Sequence, residues 1–532
     1  MKQDYPLNSL GQTLVKSLNA VDQYETRLTQ LRKQETIHVS TVGSKLTAAY
    51  EQLRNASEYS EGNLLRQKAI RRFFLRTLSF HDKTTFKHLG DELLVELTQA
   101  SYLPNDYLTP SELKVINGHI KRYYSAYWSY AKIEPNPQKR QQFKDWILDV
   151  LSVRCEQVLL SNIRLASFTH IAYNHLQPIL PIVELIETGE NIQTDDHPII
   201  LYIAIQKTIL KLNLATIRAG LIDSYRQDIS LLHNFETFNE RIDRLFNSKT
   251  TAQVSRVVNR NGATLRMIYS AFFSVNGQLT TKDLISQDSL NYSLTKHVER
   301  EYVTLNKLLD NGIIKSVVFL LITKSIFGLA IEIPYDIAVE GHIAWIPLLL
   351  NLFFPSVFIA LSRVTLTTPG ARNTEAVAKQ AVDMLFSPDT TQKQPIKVRR
   401  TVASTGFTIA YGLMFALAFA GLSYILYLLK FNIVQGVIFF VFLSTASFLA
   451  FRLSNQIKEI EAVSLSKGTM SLIRDVIYLP FIYVGQQISF RYAKINIVAT
   501  TLDMLIEMPL KSLLRVVRRW TIFLNSKKDD LI

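Results

Sequence analysis

Cysteine is almost absent from this chain. Cys155 is the only cysteine among 532 residues, so the chain can form neither an internal disulfide nor a cysteine-cluster metal site. This usage fits a reducing, cytosolic environment for the soluble part of the chain. His170 and His175 are five residues apart, which places them on different faces of a helix. We therefore expect no metal ion and no cofactor.

The short motifs of the common catalytic and nucleotide-binding classes are also missing. The chain contains no GxxxxGKS/T, GxGxxG, GxSxG or HExxH sequence. Their absence disfavours nucleotide-dependent and hydrolytic enzymes, although it does not exclude catalysis of every kind. A noncatalytic protein is the better expectation, and the sequence offers no catalytic residue.

The N-terminal part of the chain lacks a strong excess of either charge. Acidic and basic side chains nearly balance over residues 1–310, although the whole chain has a formal net charge of +14. A nucleic-acid-binding domain needs a concentrated basic surface, so we do not expect nucleic acid as a partner. The segment from Met1 to Leu10 has no apolar run, and we therefore expect no cleavable signal peptide.

Long apolar runs occur only in the C-terminal half, where four segments have the length of membrane spans. A helix needs about 20 apolar residues to cross the hydrocarbon core of a bilayer. The segments form two hairpins, within residues 311–361 and 402–453, and they predict a polytopic all-α membrane protein. Residues 407–429 and 433–450 carry no charge. Segment 313–333 contains Lys324, so whether it spans completely stays open.

The charges of the loops predict the direction of the spans, because Lys and Arg near span ends are retained on the cytoplasmic side. The loop EIPYDIAVEGH between the first two segments is acidic and is expected outside. Residues 362–401 form a basic loop, expected in the cytoplasm. These loops predict a multi-pass protein of the plasma membrane with both termini in the cytoplasm. A shorter apolar patch over 476–488 could be re-entrant, interfacial or a fifth span.

Apolar residues recur every three or four positions over residues 1–310, which predicts a helical cytosolic domain with a possible subdivision near 247–253. Helices are predicted over residues 10–31, 64–79, 91–100, 110–131, 141–174 and 198–221. The first of them could form a helical hairpin with residues 42–53 or a short coiled coil. Residues 297–309 then lead into the first span without a flexible linker, so we expect mechanical coupling between the domain and the membrane.

Lys324 is the residue at membrane depth that most needs an explanation, because an ammonium there costs several kcal/mol unless it finds a partner. Counting from the span ends places Lys324 and Asn351 at similar depth, where the Asn351 side-chain oxygen is expected to accept a hydrogen bond from the Lys324 ammonium. Glu332, Asp336 and Glu340 are assigned to the acidic loop and not to the spans, so no buried ion pair is expected. Alternatively, Lys324 extends its four-carbon stem to the interface and has no function.

The third span carries small residues at four-residue spacing, which are typical of close helix packing in lipid. Gly412, Ala416 and Ala420 are the members of this set. We expect them to pack against Ser444, Ser447 and Ala450 of the fourth span, with homodimerisation as the rarer alternative.

The C-terminal region, 454–532, contains a predicted basic amphipathic helix. Its candidate membrane-surface residues are Lys511, Arg515, Arg518, Arg519 and Trp520. On the cytoplasmic side this helix would bind the anionic inner leaflet of the lipid bilayer. Packing against the cytosolic domain is the alternative.

Two functions stay open at this point. The first is a noncatalytic membrane-anchored scaffold or interaction protein, whose cytosolic domain binds a protein partner. The alternative is a channel or transporter with a polar path for an anion near Lys324 and Asn351. The sequence gives no indication of the oligomeric state.

Overall fold

A computed structural model describes residues 6–33, 35–40, 44–45, 47–48, 51, 62–80, 88–180, 193–388, 405–462, 478–489, 516 and 520. Within these ranges the chain is helical and contains no strand, which confirms the all-α prediction. Four of the helices in these ranges are long and apolar enough to cross a membrane, so the chain has a transmembrane domain.

The N-terminal half of the described chain is a stack of helices. They are α1 (Ser9–Arg32), α2 (Gly62–Thr77), α3 (Leu89–Gln99), α4 (Pro110–Ile133), α5 (Pro137–Leu159), α6 (Ile163–Leu176), α7 (His197–Thr208), α8 (Leu214–Ser224), α9 (Leu232–Phe246), α10 (Lys249–Asn261) and α11 (Ala263–Ile268). The predicted helix 141–174 is divided between α5 and α6. The predicted helix 198–221 is divided between α7 and α8, where Lys211 takes a positive φ of 53°. Most of segment 42–53 lies outside the described residues.

One apolar core joins these helices into a single unit, which we call the helical domain. Fully buried rings form its centre, and Tyr130 stacks on Phe143 with 3.9 Å between ring centroids. Leu245 and Val254, which lie on opposite sides of residues 247–253, both belong to this core. The side chains around this polar stretch are thus packed together.

A long helix leads from the helical domain to the apolar segments. Helix α12 (Gln287–Phe327) has 41 residues, so it is about 60 Å long at 1.5 Å per residue. Its first turns place Leu290 and Leu294 in the core of the helical domain. Later turns place Leu309 and Leu320 in a second core, between the apolar helices. The predicted entry into the first span without a linker is therefore observed.

The acidic stretch that was predicted to be a loop is mostly helical. A π-helical segment (Gly328–Glu332) and helix α13 (Ile333–Glu340) continue directly from α12. Gly341 ends α13 with a φ of 73°, a left-handed conformation that glycine adopts without strain. The turn between the first two apolar helices is thus reduced to residues 341–344, and the prediction of a longer loop was wrong.

Four further helices complete the described chain apart from segment 478–489. They are α14 (Trp345–Thr365), α15 (Ala371–Phe386), α16 (Thr405–Leu428) and, after a short turn, α17 (Ile433–Lys458). Helix α15 lies within the segment that was predicted to be a basic loop. The first hairpin pairs α12 with α14, and the second pairs α16 with α17. We call the ends of the hairpins at residues 341–344 and 429–432 the far side, and the opposite ends the domain side.

The apolar helices expose apolar side chains and bury polar ones, which is the reverse of the arrangement in a soluble protein. On α12 the side chains of Ile314, Ile322 and Ile326 are each more than half exposed, whereas Ser316 and Lys324 are buried. Apolar surface of this extent on the outside of a hairpin is suited to lipid and not to water. Polar side chains are instead collected between the helices.

Small residues of the second hairpin pack differently from the prediction. A Cβ atom on Gly412 would meet no atom within 4 Å, and Ala416 and Ala420 are exposed, so this face of α16 is open. Ser444 of α17 is buried, but Gly485 of the helical segment 478–489 lies directly on its backbone carbonyl. The predicted packing of α16 against this face of α17 was wrong, because segment 478–489 occupies it.

Candidate functional site

Lys324 is buried between the apolar helices and forms an ion pair. Its ammonium bonds the carboxylate of Glu332, and the two residues are 1% and 0% exposed. The ring of Phe442 lies over the ammonium, 5.0 Å from Nζ to the ring centroid. Two expectations are therefore wrong. Lys324 does not extend to a surface, and a buried ion pair does exist, because Glu332, which was assigned to the loop, belongs to the continuing helix and is buried.

The π-helical segment places Glu332 on the same face as Lys324. An α-helix turns about 100° per residue, so eight residues would leave Glu332 about 80° away from the Lys324 direction. A π turn accommodates one extra residue, which takes back about 100° and leaves the two side chains about 20° apart. Pro334 has no backbone N–H to bond residue 330, which is consistent with a wider turn at this point.

Asn351 of α14 belongs to the same site and is completely buried. Its Nδ2 donates to Glu332 Oε1 over 3.1 Å and to the backbone carbonyl of Gln435 over 3.2 Å. The depth predicted for Asn351 agrees with this position, but its partner differs. Asn351 meets Lys324 through Glu332 and not directly.

Asp336 continues the cluster one helical turn nearer the far side. Gln435 Nε2 donates to both of its carboxylate oxygens, over 3.1 and 2.9 Å, and the backbone N–H of Ala344 donates over 3.3 Å. Asn432, which caps α17, donates from Nδ2 to Asp336 Oδ1 over 2.8 Å and to Glu340 Oε1 over 3.1 Å. Asp336 is fully buried, whereas Glu340 is exposed.

The hydrogen bonds join these residues into one series that runs from the far surface to the buried lysine. We call this series the polar chain, and in order it contains Glu340, Asn432, Asp336, Gln435, Asn351, Glu332 and Lys324. It draws residues from both hairpins, so it links the hairpins on the far side. Two of its buried atoms, Glu332 Oε2 and Asn351 Oδ1, have no hydrogen-bond partner among the described residues.

Sequence reasoning missed Glu332, Asp336 and Gln435. A signal was present, because Glu332, Asp336 and Glu340 are spaced four residues apart and so share one face if the stretch is helical. The assignment of this stretch to a loop concealed it. Gln435 stands near the start of an otherwise apolar run, and a single uncharged residue there gave no signal.

The helical domain contains a second candidate, a cleft of about 380 Å³ between α6, α7 and α8, a volume in the range of ordinary ligand sites. Gln206 in its wall is 2% exposed. Its Nε2 donates to Thr169 Oγ1 over 2.9 Å, while its Oε1 has no partner among the described residues. Tyr173, Tyr202 and Tyr225 also line the cleft, and burial raises the pKa of each phenol, so all three stay neutral donors.

The remaining predicted sites are only partly described. Lys511, Arg515, Arg518 and Arg519 lie outside the described residues, and Trp520 is 60% exposed. Among the described residues no group of three or more His, Cys, Asp or Glu side chains could hold a metal ion.

Comparison with known proteins assigns no relationship. No family model, no curated protein and no solved structure matches the chain.

Proposed function

We propose that this protein is a noncatalytic membrane-anchored scaffold whose helical domain binds a protein partner. The observation that carries the proposal is α12, one helix whose first turns lie in the core of the domain and whose last turns lie between the apolar helices. A flexible linker would let the domain take many positions relative to the membrane, whereas a continuous helix fixes the distance and direction of the domain from the membrane. A partner bound to the domain would be held at a set position above the bilayer.

Helix α15 supports this proposal with a second attachment between the spans and the domain. Its side chains Val377, Ala381 and Leu385 are fully buried in the domain core. Asn8, before α1, donates from Nδ2 to the backbone carbonyls of Met384 and Ser387, each over 2.9 Å. The connection between the two hairpins is thus bound to the domain over the length of this helix.

The end of α17 supplies a third attachment. Arg266 donates to the backbone carbonyl of Glu459 over 2.7 Å, and Asn373 donates to the carbonyl of Ile460 over 2.9 Å and accepts from the N–H of Ala462 over 2.8 Å. With three attachments the helical domain and the hairpins are expected to move as one body. This is a property that a scaffold uses and a loose tether lacks.

The cleft beside Gln206 is our proposed contact for the partner. Its one carboxylate, Asp223, is neutralised by Arg154 through bonds of 2.5 and 2.6 Å. Because the cleft is neutral and rich in aromatic rings, an aromatic side chain of the partner fits it better than a charged one. A ring N–H, such as that of indole, would satisfy the free Gln206 Oε1.

The proposed arrangement in the cell follows from the charges of the loops. We place the helical domain and both termini in the cytoplasm, and the far side outside a plasma membrane. The basic residues Lys511, Arg515, Arg518 and Arg519 would then bind the anionic inner leaflet of the bilayer.

Affinity purification of the full-length protein in mild detergent tests the proposal. We expect a protein to co-purify with the wild type, and Gln206→Met to lose it, since methionine keeps the volume but removes the amide oxygen. Gln138→Met, at an exposed position of α5, is the matched control and should keep it. Repeated isolation of the protein alone would contradict the scaffold function, whereas a partner retained by both variants would contradict only the cleft.

A channel or transporter is the second candidate, and the polar chain is the observation that favours it. The anion path predicted near Lys324 and Asn351 is disfavoured, because Glu332 neutralises Lys324 and leaves no free positive charge there to attract an anion. Solute flux through reconstituted vesicles would distinguish this function from a scaffold.

A further inference from the structure

We infer that segment 478–489 is the membrane-embedded part of a re-entrant segment, which enters the bilayer from the domain side and returns to that side. The apolar patch 476–488 is then neither an interfacial helix nor a fifth span. This inference concerns the C-terminal part of the chain, so it goes beyond the scaffold function and does not depend on it. It rests on the depth of the segment, on its direction and on the order of its polar residues.

The depth of the segment follows from the side chains that it contacts. The ring centroid of Phe481 lies 4.9 Å from that of Phe419 on α16 and 6.4 Å from that of Phe440 on α17. Gly485 lies against the backbone carbonyl of Ser444 on α17. These three partners stand 7 to 11 residues from the far-side ends of their helices, which is about 10–17 Å at 1.5 Å per residue. The segment therefore lies near the middle of the bundle, whereas an interfacial helix would lie at its edge.

The segment packs between the two hairpins. The ring centroid of Tyr478 lies 5.4 Å from that of Phe358 on α14. The ring centroid of Tyr483 lies 6.4 Å from that of Phe415 on α16. Phe481, between these two contacts, is 5% exposed. The helical segment is about 18 Å long, so it is too short to cross a hydrocarbon core of about 30 Å by itself.

The direction of the segment distinguishes a re-entrant arrangement from a fifth span. Side chains of an α-helix point toward its N-terminus, and Phe481 precedes Gly485 by one turn. The ring of Phe481 reaches Phe440, which is nearer the far side than Ser444, the neighbour of Gly485. The segment therefore runs obliquely toward the domain side. A fifth span would run the opposite way, because the chain is on the domain side at Ala462, whose N–H bonds α15.

The order of polar residues agrees with this direction. Gln486, Gln487 and Ser489 are exposed and stand at the end of the segment, and Arg491 and Lys494 follow them in the sequence. In a re-entrant arrangement these residues approach the domain-side interface, where polar groups meet water. In a fifth span Arg491 and Lys494 would enter the far-side half of the hydrocarbon core, which is costly for charged side chains.

The chain after Ser489 contains no further candidate span. Its longest stretch without a charged residue, 495–502, has eight residues, far fewer than the 20 or so that a span needs. The chain therefore remains on the domain side after the re-entrant segment. The basic residues of the C-terminal region then face the same leaflet as the helical domain, whichever way the hairpins are oriented; they are Lys511, Arg515, Arg518 and Arg519.

Cysteine labelling of the full-length protein in cells tests the return to the domain side. A membrane-impermeant maleimide should modify Lys494→Cys under the same conditions as Lys379→Cys, which is exposed on α15. It should not follow His342→Cys, which is exposed in the far-side turn. Because the comparison is relative, it holds for either orientation of the hairpins. A Lys494→Cys pattern equal to that of His342→Cys would establish a fifth span and overturn the inference.

An epitope tag placed after Ile532 gives the same information without relying on the reactivity of one thiol. Antibody should reach the tag only under the conditions that label Lys379→Cys. Detection under the conditions that label His342→Cys would equally overturn the inference.

Nitroxide accessibility in reconstituted vesicles tests the depth and excludes an interfacial helix. Tyr483→Cys, whose parent side chain is 50% exposed, should be as accessible to oxygen and as protected from a water-soluble nickel reagent as Leu417→Cys in the middle of α16. Ile433→Cys, at the far-side start of α17, is the shallow reference. Leu479→Cys provides a second label position in the segment. If both segment labels resemble Ile433→Cys, the segment lies at the interface and the inference is wrong.

Discussion

Glu156 shows how burial changes the pKa of a single carboxyl group in the helical domain. It lies on α5 with its side chain 15% exposed, 3.6 Å from Arg66 Nε, which is too far for a hydrogen bond. Desolvation therefore outweighs the attraction of the guanidinium, and it raises the pKa of Glu156 to about 7. At neutral pH this carboxyl group is partly protonated inside a folded protein.

We expect Glu156→Gln to remove part of the pH dependence of stability. Since the folded pKa lies above the ordinary 4.5, the wild type is relatively stabilised below that pH and loses this stabilisation as the pH rises to about 7. Each pKa unit corresponds to about 1.4 kcal/mol, so the loss amounts to roughly 3 kcal/mol at most.

The measurement is thermal unfolding of the detergent-solubilised full chain at pH 5 and pH 8. The variant should gain stability relative to the wild type at the higher pH only. Glu299→Gln, which changes an exposed carboxylate of α12, should follow the wild type at both values. A pH-independent difference between Glu156→Gln and the wild type would show that burial does not perturb this carboxyl group.

Lys324→Met should be strongly destabilising. It removes the only buried ammonium of the polar chain and leaves the buried Glu332 carboxylate without its partner, a change that typically costs about 3–5 kcal/mol. Lys315→Met, at an exposed position of the same helix, should change the free energy of unfolding by about 0.5 kcal/mol or less. Denaturant titration in mixed micelles compares the two, and equal effects would mean that Lys324 has no structural role.

The site could be predicted only in part at this scale. The unusual position of Lys324 and the matching depth of Asn351 were visible, because both follow from counting residues along apolar segments. Glu332 was not, since its position depends on a π turn, and the sequence pattern gives the number of residues but not the local winding of the helix. The unpartnered atoms depend on side-chain geometry and leave no trace in the pattern.

At the scale of elements, the packing of segment 478–489 on α17 can be tested with two glycines. A Cβ on Gly485 would collide with the backbone carbonyl of Ser444, whereas a Cβ on Gly436 of α17 would meet nothing within 4 Å. Gly485→Ala should therefore lower the unfolding temperature, because neither backbone can move easily.

Gly436→Ala is the control and should be neutral or slightly stabilising, since alanine favours a helix by up to about 1 kcal/mol over glycine. The two variants are compared by thermal unfolding in the same detergent. If Gly485→Ala unfolds at the same temperature as the wild type, segment 478–489 does not pack on α17.

Apolar spacing predicted most elements because burial imposes that spacing directly. It located α1 to α4, the four apolar helices and the linker-free entry of α12. It failed where a helix is interrupted without glycine or proline, as at residues 160–162, and where acidic residues are buried between helices instead of forming a loop, as in α13. In both cases tertiary packing overrides the local signal.

At the scale of the whole molecule, the contacts made by α12, α15 and the end of α17 fix the helical domain relative to the hairpins. The orientation of the hairpins therefore also determines on which side of the membrane the helical domain lies. If the far side is outside the cell, the domain must be inside, because the attachments leave no freedom to fold it back. One labelling experiment therefore decides both. The native Cys155 is completely buried, so it should add little background.

Labelling of intact cells with a membrane-impermeant maleimide should modify His342→Cys and spare Lys379→Cys. His342 is exposed in the far-side turn and Lys379 is exposed on α15, beside the helical domain. Asp336 would be a poor reporter despite lying near the same turn, because it is buried and hydrogen-bonded. Permeabilised cells should label both variants, which controls for reactivity. The reverse pattern in intact cells would place the helical domain outside the cell.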